Sequence, residues 1–556
     1  MASKNVNSNP IKPVIELLKL EKRDIYIIFL LTIGSGLLAF ATPLAVQTLV
    51  NVVTMGGAVQ PLVVLSIMLF ILLSLSGGLY ILEYYVVELI LRRVFVRSAL
   101  QAVESAQAMD VSVADSQNPI ELMNRFFDVS TVQKTSYQLL TKGLAAALQA
   151  LLGSIVLMFY SFYFAVIAIF LLLMAWFVIV VVGRVAIQSA INESYAKYNM
   201  AAWLECIAHN LNIFKFGTGK NFATQKADSL AKDYLSRRRA HFGTLLRQNI
   251  LAVVVCAAAG SLMLGLGGWL VMSGHINLGQ FVAAELIIFG VLGAFLSFIS
   301  KLEYLYDLVA ALDKLGIIHD LPRERQTGHS MVLESAPELV CRDVILDHSS
   351  HHQALKAIQF TAVAKGSIAL EFQSGVHRAL LADVLVGLRN PKSGAVLIND
   401  IDLRQLNLDK YREKVGFINR LEILEGSILE NLTYGTSATL PEVQAVLQDF
   451  DFASSVERLP DGLDTQLAAR GMPLSRAEQR LLMIARTCLA KPYLIVIDAI
   501  LDELDHNSLV AASKVLQPEG QPWTLIVLTQ SSVVAGCFGK IVKIDNPHHG
   551  NSGNAV

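Results

Sequence analysis

The run Tyr493-Leu-Ile-Val-Ile-Asp498-Ala499-Ile-Leu-Asp-Glu-Leu-Asp505 decides what the second half of this chain is. A short apolar stretch, rich in β-branched side chains, ends in an acid and gives way to a polar turn. Such a run reads as a strand buried on both faces, the pattern of a parallel sheet. An acid at the mouth of that strand either caps the turn or holds a cation. The residue after it is Ala499. A methyl group cannot take a proton, so general-base catalysis has no agent at that position.

Three further stretches flank this run: Gly387-Leu-Arg-Asn-Pro-Lys-Ser-Gly394-Ala-Val-Leu-Ile-Asn-Asp400, Leu459-Pro-Asp-Gly-Leu-Asp-Thr465 and Ile484-Ala485-Arg486. Together with residues 493–505 they resemble the ATP-binding cassette of ABC transporters, and the resemblance extends over nearly the whole chain. It implies that Asp498 stands where the family holds the Mg²⁺ of MgATP, and that Ala499 stands in place of the catalytic glutamate. Counting back from Gly387 places the phosphate loop at Glu371-Phe-Gln-Ser374-Gly375-Val376-His377-Arg378-Ala379. A working loop needs glycines so that backbone N–H groups can curl around phosphates at a helix N-terminus. It also needs a Lys for the β/γ-phosphates and a Ser/Thr hydroxyl for Mg²⁺. Here Glu371 and Val376 stand where glycines belong, His377 replaces the lysine, and Arg378 and Ala379 replace the hydroxyl pair. An unperturbed His is mostly neutral at pH 7. Arg378 keeps a positive charge, but one step along a helix turns it about 100° away.

The remaining motifs depart in the same direction. The signature aligns with Leu474-Ser475-Arg476-Ala477-Glu478, the switch histidine with Gln530, and the adenine-stacking aromatic with His348. The Q-loop segment Val415-Gly-Phe-Ile-Asn-Arg420 ends in Arg420 where Gln is expected. The implied remnant of a nucleotide site is therefore His348, Ser374, Gly375, His377, Arg378, Arg420, Ser475 and Asp498, with Asp498 its one metal-ligand candidate. Catalytic residues are expected to be none. No cofactor is assigned with certainty: such a loop leaves room for weak MgATP binding but not for efficient hydrolysis.

The first 300 residues are of another kind. Hydrophobic residues make up 54% of the chain and charged residues 16%, against roughly 25% charged in a soluble protein; mean hydropathy is +0.51. Three stretches, Ile25–Leu82, Gly143–Gly183 and Gln248–Ala284, carry no charge. A span takes about 20 apolar residues, so each stretch holds two, near 25–50, 61–88, 140–160, 164–184, 250–273 and 280–300. Breaks fall at Met55-Gly-Gly-Ala, Tyr160-Ser-Phe-Tyr and Ser273-Gly-His-Ile-Asn-Leu-Gly279, none with Lys or Arg. Lys22, Arg23, Arg92, Arg93, Lys142, Arg184, Arg237 and Lys301 cluster on the opposite side, which predicts cytoplasmic termini. Residues 92–140 and 185–247 are polar and helical in pattern. They resemble the long intracellular helices of type I ABC exporters, whose tips dock onto the nucleotide-binding domains in that family.

The expected fold is a six-helix α transmembrane domain of the type I ABC exporter fold plus a C-terminal α/β ABC nucleotide-binding domain. The expected boundaries are a cytoplasmic segment 1–23, a transmembrane domain 24–320, a linker 321–335, a degenerate nucleotide-binding domain 336–546 and a disordered tail 547–556. Glu285, inside the last span, is a pathway candidate, since an intramembrane carboxylate is costly and usually faces a cavity; a shallow position within reach of interfacial water is the equal alternative. Five cysteines lack metal or disulfide spacing. The histidines at 348–352 and 548–549 read as solvated. A formal net charge of −1 gives no reason to invoke nucleic acid.

The resemblance implies an exporter half-transporter of a bacterial-type inner membrane, with little or no ATP hydrolysis of its own. Ala41-Thr-Pro-Leu-Ala-Val-Gln-Thr-Leu-Val-Asn51 and Glu425-Gly-Ser-Ile-Leu-Glu-Asn-Leu432 look most like toxin, bacteriocin and hemolysin-type secretion exporters. That implies a peptide or protein cargo. Its partners would be membrane lipid, a second half-transporter in a homodimer or heterodimer, a periplasmic adaptor and an outer-membrane channel. A scaffold or regulatory pseudo-transporter with no pump cycle is the alternative.

Overall fold

The structure is a computed structural model that describes residues 12–54, 59–346, 357–468, 470–517 and 520–544. The first predicted turn (55–58), His348 with its neighbouring histidines, and the C-terminal tail lie outside the described residues. The chain divides into two units, Met1–Arg323 and Glu324–Val556.

The first unit is helical. A short amphipathic helix, Lys12–Leu20, precedes six helical segments long and apolar enough to cross a membrane: Lys22–Thr54, Val59–Gln107, Pro119–Tyr160, Phe162–His209, Gly219–Met272 and Leu278–His319. The fifth has 54 residues; at 1.5 Å per residue that is about 80 Å, well beyond the ~30 Å apolar slab of a bilayer. The polar ends of these helices therefore project past the membrane. Between the third and fourth segments, where neither Gly nor Pro marks a turn, the chain breaks at Ser161. Its backbone is extended (φ −162°, ψ 146°), and its hydroxyl accepts from the Tyr163 N–H, capping the next helix. The sixth segment carries the most buried face, with Ala284, Ile288, Phe295, Ile299 and Tyr306 all at most 2% exposed. At Gly153 a Cβ would collide with the Val291 side chain, so the third and sixth segments approach there because a side chain is missing.

The second unit holds three sheets among the described residues. The strands are β1 (Leu339–Ile345), β2 (Ile358–Ala362), β3 (Ser367–Phe372), β4 (Ser393–Ile398), β5 (Ile401–Asp402) and β6 (Val415–Ile418), then β7 (Gly426–Ser427), β8 (Gln466–Leu467), β9 (Leu494–Asp498), β10 (Thr524–Thr529) and β11 (Lys540–Ile544). An antiparallel sheet runs β2-β1-β4-β5, a five-stranded sheet runs β11-β3-β10-β9-β6, and β7 pairs β8. The five-stranded sheet is parallel throughout. Its central strands β9 and β10 are buried along their whole length. They feed two cores by period-two alternation: Ile495, Ile497, Leu525 and Val527 pack with the helices of one core. Leu494, Val496, Ile526 and Leu528 join the core beneath the antiparallel sheet. Gly394 takes φ +83°, and a Cβ there would run into the Asp343 backbone; only glycine fits that turn.

Candidate nucleotide site

Parallel strands deliver their carboxyl ends to one edge, the usual place for a ligand in such a sheet. Here β3, β10 and β9 are neighbours. Their ends carry, in turn, the loop into helix Gly375–Leu385, Gln530 just past β10, and Asp498 closing β9. The sequence-predicted residues Gly375, Arg378, Gln530 and Asp498 meet at this edge.

What they form is a closed ion pair. Arg378 Nε donates to Asp498 Oδ1 at 2.5 Å, and its Nη1 donates to Gln530 Oε1 at 3.2 Å. Gln530 Nε2 in turn donates to the Gln373 carbonyl at 3.3 Å. A Cβ on Gly375 would lie 3.2 Å from Gln530 Oε1, so the side chain of Gln530 rests directly against the loop. The rotation of about 100° per residue does carry it off the direction His377 takes, and that rotation aims it at Asp498. Asp498 is 3% exposed. Burial pushes its pKa up to about 6, with the Arg378 guanidinium pulling the other way and Asp383 and Asp502 adding to the rise. It caps no helix: the 3₁₀ turn Ile500–Glu503 starts from Ala499 without a side-chain cap.

Ala499 itself sits in the left-handed region (φ 58°, ψ −2°). Asp502, a conceivable displaced base, is otherwise engaged: it accepts from the Thr529 hydroxyl and from the Gln530 N–H at 3.0 Å. Glu371 is drawn to β11, 3.7 Å from Lys543 Nζ. Ser374 precedes the loop helix without a side-chain cap, and His377 is half-buried.

Two predicted residues stand apart. Arg420 is exposed and pairs with Glu422 at 2.5 Å. Ser475 is the N-cap of helix Arg476–Leu489. Its hydroxyl accepts from Glu478 N–H (3.3 Å), and the Glu478 carboxylate accepts from Ser475 N–H (2.8 Å), a complete capping box. Glu478, aligned with the last residue of the signature, thus has a local structural use. His348 is outside the described residues.

The donor set does not fit Mg²⁺. That ion needs oxygen ligands in near-octahedral array, whereas the Asp498 carboxylate is taken by a guanidinium and no hydroxyl stands at 378 or 379. Among the described residues no group of three His, Cys, Asp or Glu could hold a metal ion.

In the first unit, Glu285 is half-buried on the sixth segment. A second intramembrane acid, Glu83, escaped the sequence reading because it falls one residue past the charge-free stretch ending at Leu82. It is 2% exposed and meets the side chain of Thr32 on the first segment, while its Oε1 has no hydrogen-bond partner among the described residues. The signal was present: a carboxylate well inside an apolar helix.

The comparisons with known proteins agree with this architecture. A family model for the ABC transporter transmembrane region matches residues 25–295, and one for the ABC transporter domain matches residues 355–502. The chain is 26% identical over 328 residues to a multidrug resistance ABC transporter ATP-binding and permease protein of Lactococcus lactis subsp. lactis (strain IL1403), covering 57% of this chain and 54% of that one. It is 27% identical over 249 residues to the uncharacterized ABC transporter ATP-binding protein YfiC of Bacillus subtilis (strain 168), covering 44% and 41%. The chain thus spans about half the length of these relatives. In fold it is similar to a bacterial Atm1-family ABC exporter with ATP bound, at a TM-score of 0.81 and 18% identity over 95% of each chain.

Proposed function

We propose that this chain, whose two units match the ABC transporter transmembrane region and the ABC transporter domain, is an ABC exporter half-transporter that works as the hydrolysis-deficient subunit of a dimeric exporter. One observation carries the proposal: the guanidinium of Arg378 lies on Asp498 and Gln530, at the loop position where the family supplies a metal-binding hydroxyl. The chain's own cation neutralises the acid that would otherwise recruit Mg²⁺. With a methyl group at 499, no side chain there can activate water. Nucleotide is thereby expected to bind weakly and without turnover.

The second half of the dimer would supply any competent residues. A homodimer would have two sites lacking base and lysine. A heterodimer would leave one composite site without its phosphate loop and the other facing Arg476 and Glu478, so hydrolysis would rest almost entirely on the partner. The lysine and arginine distribution supports cytoplasmic termini in a bacterial-type inner membrane. The stretches 41–51 and 425–432 support a peptide or protein cargo, passed to a periplasmic adaptor and an outer-membrane channel.

The test is gentle purification of the tagged full chain from its native membrane, with mass spectrometry of its companions and phosphate-release measurements. A stoichiometric second ABC half with an intact phosphate loop and catalytic glutamate is the expected result. Recovery alone, or with proteins of other families only, would replace the exporter reading with that of a scaffold. Robust ATP hydrolysis by the chain alone would overturn the degenerate-site reading.

A further inference from the structure

An open apolar groove in the first unit offers about 630 Å³, within the roughly 300–1,000 Å³ typical of small-molecule sites. It lies among the amphipathic helix Lys12–Leu20 and the first, third, fourth and sixth membrane segments. Its body is aliphatic and aromatic, with Phe29, Leu144 and Phe298 among the lining side chains, and the only formal charges on its wall are Lys22 and Lys301. Neither ammonium has an acidic partner among the described residues. The nearby acids are committed elsewhere: Glu21 to Arg93 and Arg97, and Asp24 to Arg93. Lys301 lies over the ring of Tyr304, 5.1 Å from its centroid.

Two π-helical turns face this groove. Leu139–Gly143 in the third segment contributes Leu139, Leu140 and Gly143, and Val178–Val182 in the fourth contributes Ile179. Such turns are rare and concentrate at functional sites. The groove also straddles the polar boundary of the spans. Lys22 opens the first segment, the charge-free stretch of the third and fourth begins at Gly143, and Lys301 follows the last apolar stretch of the sixth.

We propose that this groove binds one anionic glycerophospholipid of the surrounding bilayer, an acyl chain in the apolar body and the phosphate between Lys22 and Lys301. A zwitterionic lipid would bring its own cation to the same two lysines. A wholly apolar molecule would leave both ammoniums unused. The inference depends on the membrane placement of the first unit and not on cargo or nucleotide chemistry.

The full chain, purified in mild detergent, is offered equal amounts of phosphatidylglycerol and phosphatidylcholine and examined by native mass spectrometry. Phosphatidylglycerol adducts should predominate. Lys22→Gln or Lys301→Gln should each lower that preference roughly fivefold, and the double variant roughly 25-fold. Gly143→Leu, whose new Cβ would find only ordinary contacts at 3.6 Å and beyond, should fill the groove and remove adducts of both lipids. The control Lys19→Gln/Arg23→Gln alters basic residues that do not line the groove and should leave the preference unchanged. Equal retention of the two lipids by the unsubstituted chain would overturn the proposal. So would a loss in the control as large as in the Lys22/Lys301 pair, which would mark general surface attraction.

Discussion

Replacing Arg378 with Met removes the one cation that faces Asp498 among the described residues, while an unbranched apolar chain reaching about as far as Nε is kept. The cost follows from the acid left behind. A carboxylate in an unfolded chain titrates near about 3.9, and Asp498 in the fold near 6. Between those values the folded state holds the extra proton, so the Asp498 contribution worsens as pH rises from about 4 and levels off above about 6. In the unsubstituted protein, keeping Asp498 protonated costs about 1.4 kcal/mol for each pH unit above 6. The variant can always fall back on that neutral form. Its electrostatic loss is therefore capped near zero at pH 6, at about 1.4 kcal/mol at pH 7 and at about 2.7 kcal/mol at pH 8. The lost hydrogen bond to Gln530 adds about 1 kcal/mol at every pH. Hydrogen exchange of the β9 amides, followed by mass spectrometry in the full chain, reads this directly, because intrinsic rates cancel when variant and parent are compared at one pH. The ratio of exchange rates should be roughly fivefold at pH 6 and climb by up to tenfold per unit above it. A ratio that does not change with pH, or one below unity at pH 8, would refute the reasoning.

Other substitutions probe other parts of the molecule. Ala499→Glu alone should give no detectable phosphate release if, as proposed, the phosphate loop at 371–379 also lacks its lysine and hydroxyls; turnover in that variant would show that the loop has been misassigned. Glu83→Gln keeps the polar contact with Thr32 and should fold like the parent, whereas Glu83→Lys sets an unpaired charge at a buried position and should cost about 3 kcal/mol, read as lost yield of folded protein; equal yields would remove Glu83 from the buried face. Glu285→Leu should impair export if the carboxylate lines the pathway, and unchanged transport in reconstituted vesicles would exclude that role. Ser475→Ala deletes an N-cap and should lower stability by about 1 kcal/mol, measured by thermal unfolding; no change would mean that Glu478 holds the helix start by itself.

Much of this architecture is legible because it depends on length and period alone. The six membrane segments follow from charge-free runs, and β9 and β10 from short apolar stretches closed by turns. The break at Ser161 is the instructive case: with no Gly or Pro, a single hydroxyl at the right point ends one helix and caps the next. The Arg378–Asp498 pair was not legible, since its members are 120 residues apart and meet only once helix phase and strand order are both fixed. The same holds for the two π-helical turns, which leave no mark in composition. Glu83 could have been seen, but only its depth, set by packing against Thr32, separates it from an interfacial acid.

The strand order of the parallel sheet has a consequence for synthesis. Both neighbours of β3 are β10 and β11, and the β3 residue Ser367 pairs with Leu525, 158 positions later in the chain. At roughly 5–20 residues per second, β3 leaves the ribosome some 8–30 s before either partner exists. Through that interval its apolar edge has nothing to pair with, and the sheet can close only when nearly the whole domain has been made. Any chain ending before Thr524 would leave β3 and β9 without the strand that joins them. The requirement falls on residues that build the sheet and not on those that would handle nucleotide. Side chains at the loop and at 499 can change without altering that order of assembly, whereas β10, which joins β3 to β9, cannot be left out.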